Sequence, residues 1–496
     1  MKIVPQLDTY PRLVTFCQTA WGKVALLVVF GGLLRINALS SWIEVTVAAA
    51  GFSFLPRHRH MLLSIAALYW LLVHHDWIDW EFIQRVGSAG AHARGYTLHL
   101  LAGFMLGGIF LMFALFFGYV RRHPGTFAAR RPVMALLSVF GACLLTAGAI
   151  PLEGTAKAFV WTFIALLAPY LWFFAYALQD AASKTPDGPL LQFGAFHPIY
   201  MAPSQSSTPI GKGRAYLRKT EALTPEALSV VQLKAVKLLL WIAILRVVQL
   251  LLRFMVHGDM AWRPIQFLVR FTGSKIATLA LPDLGTAIEQ LSAGSQIPTH
   301  DAWLIAIAHF TEAILGLYIA GNLVVACCRM GGFYILRNTY RPFQAQTIAE
   351  FWNRIYYYFK ELLVEFFFFP TYMRYFKKYR RLRAFVATMA AATLGNMVYH
   401  FFRDFSYVAD AGLSAAVSGF QVYAFYALLL GVGIGVSQMR SQRSGWRRAT
   451  NPVRRVLSSI FVLAFYCLIE VFDQEGRSHT LSSHLAFFLS LFSFHT

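Results

Sequence analysis

The stretch Leu382-Arg-Ala-Phe-Val-Ala-Thr-Met-Ala-Ala-Ala-Thr-Leu-Gly-Asn-Met-Val-Tyr-His-Phe-Phe-Arg-Asp404 sets the terms on which this chain is read. Ala384 to Phe402 carries no Asp, Glu, Lys or Arg. Its length approaches the roughly 20 residues a helix needs to cross the hydrocarbon of a bilayer. His400 stands near its end. An ionisable side chain inside such a helix is costly, which makes it a functional candidate by default. An imidazole there can take and give a proton near neutral pH.

The rest of the composition agrees with a membrane setting. Of 496 residues, 57% are hydrophobic and 14% charged, against roughly 25% charged in a soluble chain. Mean hydropathy is +0.53. The apolar runs recur along the whole length, so a single polytopic domain over 1–496 is expected, not several soluble domains. The net charge of +21 does not indicate nucleic acid, because the basic residues sit in short loops between apolar runs. Cys17, Cys143, Cys327, Cys328 and Cys467 have no metal-ligand spacing and read as small buried hydrophobes. Met1–Ala20 holds Asp8, Pro11 and Arg12, too polar for a cleavable signal peptide.

About twelve apolar segments can be drawn. They are Lys23–Leu34, Trp42–Phe54, Met61–Val73, Thr97–Val120, Val133–Leu152, Ala158–Leu178, Ala235–Leu252, Trp303–Ala326, Ala384–Phe402, Leu413–Val436, Val456–Phe472 and Leu481–Phe494. The second and last are short for a full span and suit a tilted, re-entrant or interfacial placement. Basic clusters at Arg57–His60, Arg121–Arg131, Lys377–Arg381 and Arg440–Arg455 fall on one side, which the positive-inside rule makes cytoplasmic. Residues 179–234 form a turn-rich, basic cytoplasmic loop. Its Gly211-Lys-Gly213 lacks the spacing and preceding strand of a P-loop. Pro264–Phe271 suits an amphipathic helix on the outer surface. The expected fold is an all-α integral membrane bundle.

Upstream of His400 runs Asn338-Thr-Tyr-Arg-Pro-Phe-Gln-Ala-Gln-Thr-Ile-Ala-Glu-Phe-Trp-Asn-Arg-Ile-Tyr-Tyr-Tyr-Phe-Lys-Glu-Leu-Leu-Val-Glu-Phe-Phe-Phe-Phe-Pro370. By composition alone this is an interfacial aromatic belt. In residue order it resembles the signature of the membrane-bound O-acyltransferase (MBOAT) superfamily. Phe351-Trp352 matches the aromatic-Trp pair, Arg354 the basic position and Pro370 the closing proline, and Arg341-Pro-Phe343 resembles the lead-in. His400 matches the family's histidine in a following helix. The resemblance covers 338–419, roughly a sixth of the chain.

The resemblance departs in places. Tyr356 stands where alginate-acetylating and D-alanylating branches carry a first histidine. Tyr399-His400-Phe401 replaces their Trp-His-Gly. Asn353 stands in for an asparagine of lipid-acylating branches. The resemblance implies an MBOAT-like bundle with a central tunnel, and an acyltransferase moving an acyl group from an activated donor to a hydroxyl. His400 would be the catalytic base. Trp352, Asn353, Arg354 and Tyr356 would line the tunnel.

Residue chemistry adds neighbours. On a helix, Asn396 and Asp404 share the face of His400 one turn before and after it, and an amide or carboxylate there would orient the imidazole. A structural histidine bonded to a neighbouring carbonyl is the plainer alternative. His309 and Glu312 share a face inside Trp303–Ala326, suited to a tunnel wall or to a packing hydrogen bond. His74-His-Asp-Trp-Ile-Asp-Trp-Glu81 suits a metal or a Trp-anchored helix end. Its Asp79 and Glu81 resemble the acidic pair of membrane glycosyltransferases, which is an alternative reading. A transporter or flippase without chemistry is another, though no internal repeat is visible.

The expected partners are an acyl donor (acyl-CoA or an acyl carrier protein), a hydroxyl-bearing acceptor (lipid, glycan or envelope polymer) and membrane lipids. No metal, resident cofactor or nucleic acid is expected. The expected location is a bacterial inner membrane.

Overall fold

The computed structural model describes residues 4–73, 95–183, 187–195, 209–260, 266, 278–403, 406–443, 451–473 and 479–493. The structure is 81% helical, with no strand among the described residues. Seven helices are long and apolar enough to cross a membrane, or up to nine if each bent pair is one span. The expected apolar segments fall on helices over most of their length, with one exception. Trp42–Phe54 and Leu481–Ser490 are short, as expected. Leu413–Val436 is not one helix: Leu413–Gly419 ends at a turn and Gln421–Arg443 starts afresh. Pro264–Phe271 lies outside the described residues apart from Gln266.

The chain divides into two compact units. The first comprises Met1–Leu240, Leu323–Leu336 and His400–Leu413. Here Pro11–Gln18 and Ala20–Ile36 meet at 102°. Thr19 makes that corner, its hydroxyl oxygen accepting from the Gly22 amide at 3.0 Å. A Cβ on Gly22 would lie 1.9 Å from the Phe16 carbonyl oxygen, so only glycine fits. Ala156–Ala168 and Tyr170–Ala181 meet at 55°. Phe113 stacks on Phe174 at 4.8 Å, and Leu136, Phe140, Leu167 and Leu171 line the apolar crevice beside them. Phe402 meets Phe140 edge to face at 5.0 Å.

The basic loop Arg57–His60 is not simply solvated. Arg59 is 1% exposed and donates from Nη1 to Glu221 Oε1 at 2.9 Å and to the Ala222 carbonyl at 3.2 Å. His60 Nε2 lies 3.1 Å from Glu221 Oε2. Gly332, at φ +91°, presses on that guanidinium, and a Cβ there would lie 2.8 Å from Arg59 Cζ. Ala222 N–H donates to the Gly332 carbonyl at 2.8 Å. Nearby, Gln232 Nε2 donates to Ser53 Oγ at 2.7 Å and to the Met330 carbonyl at 3.0 Å. Burial pushes the Glu221 carboxyl up, but His60 and Arg59 more than offset it and hold it below the usual carboxylate range.

The second unit comprises Trp241–Asn322, Arg337–Tyr399 and Ser414–Thr496. Its centre is Gln421–Arg443, packed against Arg380–Met389, Ala390–Gly395, Ile348–Ile355 and Pro452–Glu470. The run Gly431-Val-Gly-Ile-Gly435 permits this. Cβ atoms on Gly431, Gly433 and Gly435 would fall 2.0 Å from Thr393 Oγ1, 2.3 Å from the Phe465 ring and 2.6 Å from the Phe385 ring. Small residues let helices approach closely where lipid removes the hydrophobic drive between them.

Two substitutions test these centres. Glu221→Gln leaves Arg59 buried without its counter-charge and is expected to cost about 3–5 kcal/mol. The folded carboxyl titrates below its unfolded value of about 4.3, so its stabilisation is present above that pH and fades as acid reaches the folded value. The wild-type thermal midpoint should therefore fall on acidification through that window, and the variant's should fall less. Gly433→Leu should cost at least about 1–3 kcal/mol through overpacking on Phe465. An unchanged melting midpoint in detergent would contradict either expectation.

Candidate functional site

The segment that opens at Asn338 is built by capping and aromatic packing. Thr347 caps Ile348–Ile355, its hydroxyl accepting from the Glu350 amide at 3.0 Å. Glu350 Oε2 accepts from the amide of Gln346, the residue before the cap, at 2.9 Å. Phe351 stacks on Tyr466 at 4.0 Å, and the Tyr466 hydroxyl donates to the Ile348 carbonyl at 2.8 Å. Trp352 is buried and packs on Tyr356 at 5.3 Å and Phe359 at 6.1 Å. Phe359 in turn meets Tyr399 at 4.6 Å. The aromatic pair thus faces the interior of its unit.

The two polar positions of that segment behave differently. Arg354 donates from Nη2 to Glu350 Oε1 at 2.8 Å and from Nη1 to the Arg341 carbonyl at 2.9 Å. Its own carbonyl accepts from the Tyr340 amide at 2.8 Å. Arg354 therefore ties its helix to the Arg341 turn, where Arg341 holds φ +50°. Asn353 is exposed. Asn338 fixes the next helix start: its carbonyl accepts from the Tyr357 amide at 3.0 Å and its Oδ1 from the Tyr358 amide at 3.2 Å.

Two turns of π-helix follow, Val364–Phe368 and Ala390–Gly395. They pack on each other, with Phe367 over Gly395, where a Cβ would lie 2.8 Å from the ring. Such insertions are rare and frequent at functional sites. The second π turn hands over to Asn396–Arg403.

Asn396 is fully buried. Its Oδ1 accepts from the Tyr423 hydroxyl at 3.1 Å, and its Nδ2 has no partner among the described residues. A buried donor left unpaired costs about 1–3 kcal/mol. Tyr423 packs on Tyr426 at 5.4 Å. Tyr426 lies within electrostatic reach of Tyr356, Glu470 and Asp473, so the polar edges of this unit's core gather there. His400 follows Asn396 by one helical turn and is partly buried. Asp404 lies outside the described residues.

His309 and Glu312 are not joined to each other by a hydrogen bond among the described residues. Glu312 Oε1 lies 3.2 Å from His257 Nε2. His257 Nδ1 donates to the Leu281 carbonyl at 2.9 Å, because a carbonyl only accepts. His309 lies within reach of Asp283, His257 and His484. Asp283 caps Leu284–Ser292, and hydrogen bonds from the Thr286 amide and hydroxyl hold its carboxyl below the usual range despite partial burial. No group of three or more His, Cys, Asp or Glu suited to a metal occurs among the described residues. Asp79 and Glu81 lie outside them.

Tyr423 and His257 are partners that the sequence reading did not single out. The spacing of Tyr423 and Tyr426 in an apolar run is the signal that marks two hydroxyls needing acceptors. His257 ends its helix and carries no comparable mark. No protein-family model matches the chain, and no curated protein matches it in sequence.

Tyr423→Phe removes the hydrogen bond to Asn396 and leaves the carboxamide without it. A loss of about 1–3 kcal/mol is expected, read as a lower melting midpoint. Tyr375→Phe, on an exposed tyrosine, should leave the midpoint unchanged. Equal midpoints in all three proteins would contradict this account of Asn396.

Proposed function

We propose that this protein is a membrane-embedded O-acyltransferase of the MBOAT kind, with His400 as its catalytic base. The observation that carries the reading is the buried Asn396 amide, one helical turn before His400, with its Nδ2 unpartnered among the described residues. In this reading His400 takes the proton of an acceptor hydroxyl as its oxygen attacks the acyl carbonyl. A new ester bond forms and the bond to the donor's leaving group breaks. For a thioester donor, acyl-CoA or an acyl carrier protein, the departing thiolate takes that proton back from the imidazole.

Asn396 then serves the carbonyl oxygen. Tyr423 already donates to its Oδ1, and an N–H₂ group donates, so it suits the negative charge that develops on that oxygen. The aromatic wall of Trp352, Tyr356 and Phe359 suits an acyl chain or the donor's linker. Glu350 and Arg354 hold that wall in place. The basic loops assigned to the cytoplasmic side suit an acidic donor. The acceptor is a hydroxyl on a lipid, a glycan or an envelope polymer, and the resemblance implies a tunnel that would lead the two substrates to His400.

Purified protein with labelled acyl-CoA or acyl carrier protein, and mass spectrometry of envelope esters, test the reading. His400→Ala should lower turnover by about 10²–10⁴-fold, and Asn396→Ala by about 10²–10³-fold, with the melting midpoint of His400→Ala near wild type. Tyr356→Phe should be silent, since the ring fills space. Wild-type turnover in His400→Ala, or loss in Tyr356→Phe as deep as in His400→Ala, would overturn the single-histidine mechanism. An envelope whose ester content does not change without the protein would overturn the reading itself.

A further inference from the structure

The two π turns belong to one hairpin, and its tip carries a surface that the proposed chemistry does not use. One arm ends in Phe369–Arg374 and the other begins with Arg380–Met389. Between them runs Tyr375-Phe-Lys-Lys-Tyr379, and every residue from Met373 to Leu382 is exposed. From Phe366 to Arg403 the sequence has no Asp or Glu.

The cations of this hairpin fall into two sets. Arg383 closes the arms: it donates to the Tyr372 carbonyl, and its guanidinium lies 3.9 Å from the Tyr372 ring. Tyr372 stacks on Phe368 at 5.4 Å. Arg374 lies over Tyr375 at 5.4 Å. At the tip, Lys377, Lys378, Arg380 and Arg381 make no side-chain hydrogen bond, ion pair or ring contact among the described residues.

Exposed aromatics alternate with these cations. Tyr375, Phe376 and Tyr379 are 49%, 46% and 59% exposed. Phe376 holds φ +50°, a conformation that bulky side chains rarely adopt. The backbone is thus strained while the ring stays outside the protein core. The next arm is the apolar span Arg380–Phe402, so the tip sits where that span enters the membrane, on the side its charge makes cytoplasmic.

We infer that this tip is a docking surface for anionic phospholipid headgroups, which clamp the hairpin that carries both π turns. Cations supply the attraction to phosphate, and the exposed rings settle at headgroup depth, where aromatic side chains gather. A free phosphate has no use for the rings. A soluble acidic partner would not need the surface to lie at the mouth of a span. Each cation near an anionic surface strengthens attraction by about fivefold.

The test uses the full-length protein in mixed micelles of equal phosphatidylglycerol and phosphatidylcholine, read by native mass spectrometry and thermal melting, neither of which depends on acyl transfer. The wild type should retain phosphatidylglycerol in preference and melt higher in its presence. K377Q/K378Q/R380Q/R381Q should lose at least about fivefold of that preference, together with the melting shift. R380K/R381K should keep both, and so should R121Q/R122Q/R130Q on another basic turn. Millimolar inorganic phosphate should displace no lipid. The inference falls if the quadruple variant retains lipid as the wild type does, or if either control variant loses as much. It also falls if phosphate displaces the lipid, or if the tip is indifferent to phosphatidylglycerol but binds a polyglutamate peptide.

Discussion

Inside a bilayer each backbone amide and carbonyl must find its partner within the chain, because no water competes for it. That constraint explains why the described residues are helical almost throughout. It also makes the departures informative. At Thr19 a side chain takes over a backbone role and glycine makes room for it. In Val364–Phe368 and Ala390–Gly395 the hydrogen-bonding register loosens by one residue without being abandoned. Both π turns lie on the arms of one hairpin and meet at Phe367 and Gly395. The polypeptide thus relaxes its register just before Asn396, the residue on which the catalytic reading rests.

Polar groups in the described interior follow two patterns. Some close structural seams, as Arg59 does with Glu221, Gln232 with Ser53, and Arg354 with Glu350. Their partners are distant in sequence or one turn away and their removal is a matter of stability, although Arg59 Nε and Nη2 and Gln232 Oε1 donate or accept no hydrogen bond among the described residues. Asn396 is only half satisfied, with its oxygen engaged by Tyr423 and its nitrogen unmatched among the described residues.

Much of the helical layout was legible in the sequence because apolar runs of spanning length dominate local preference. The breaks were less so. Ser418-Gly-Phe420 sits inside a continuous apolar stretch, and only packing decides that a turn falls there. The π turns have no residue code of their own, since Ala390–Gly395 reads as ordinary helix. Spacing placed His309 beside Glu312, which is correct for a helix face. Glu312 nevertheless meets His257, because tertiary packing brought a closer partner. Arg59 read as one more cytoplasmic cation, and nothing local announced that Glu221 would draw it inside. Trp352 and Phe351 were singled out by residue order, and they do turn inward, while Asn353 of the same motif lies exposed.

The glycine run of Gln421–Arg443 sets an order on the assembly of the second unit. Gly431 and Gly435 receive Thr393 and Phe385, which leave the ribosome before this helix does. Gly433 receives Phe465, which is synthesised after it. The helix therefore enters the bilayer with one flank already matched and the other a bare groove. Until Pro452–Glu470 arrives, that groove is filled only by lipid. The seating of the central helix against Pro452–Glu470 is thus a late event of biogenesis, whereas Tyr423 shares the early flank of Gly431 and Gly435 and its partner Asn396 is already made. What waits until nearly all of the chain has been made is the packing of Phe465 against Gly433.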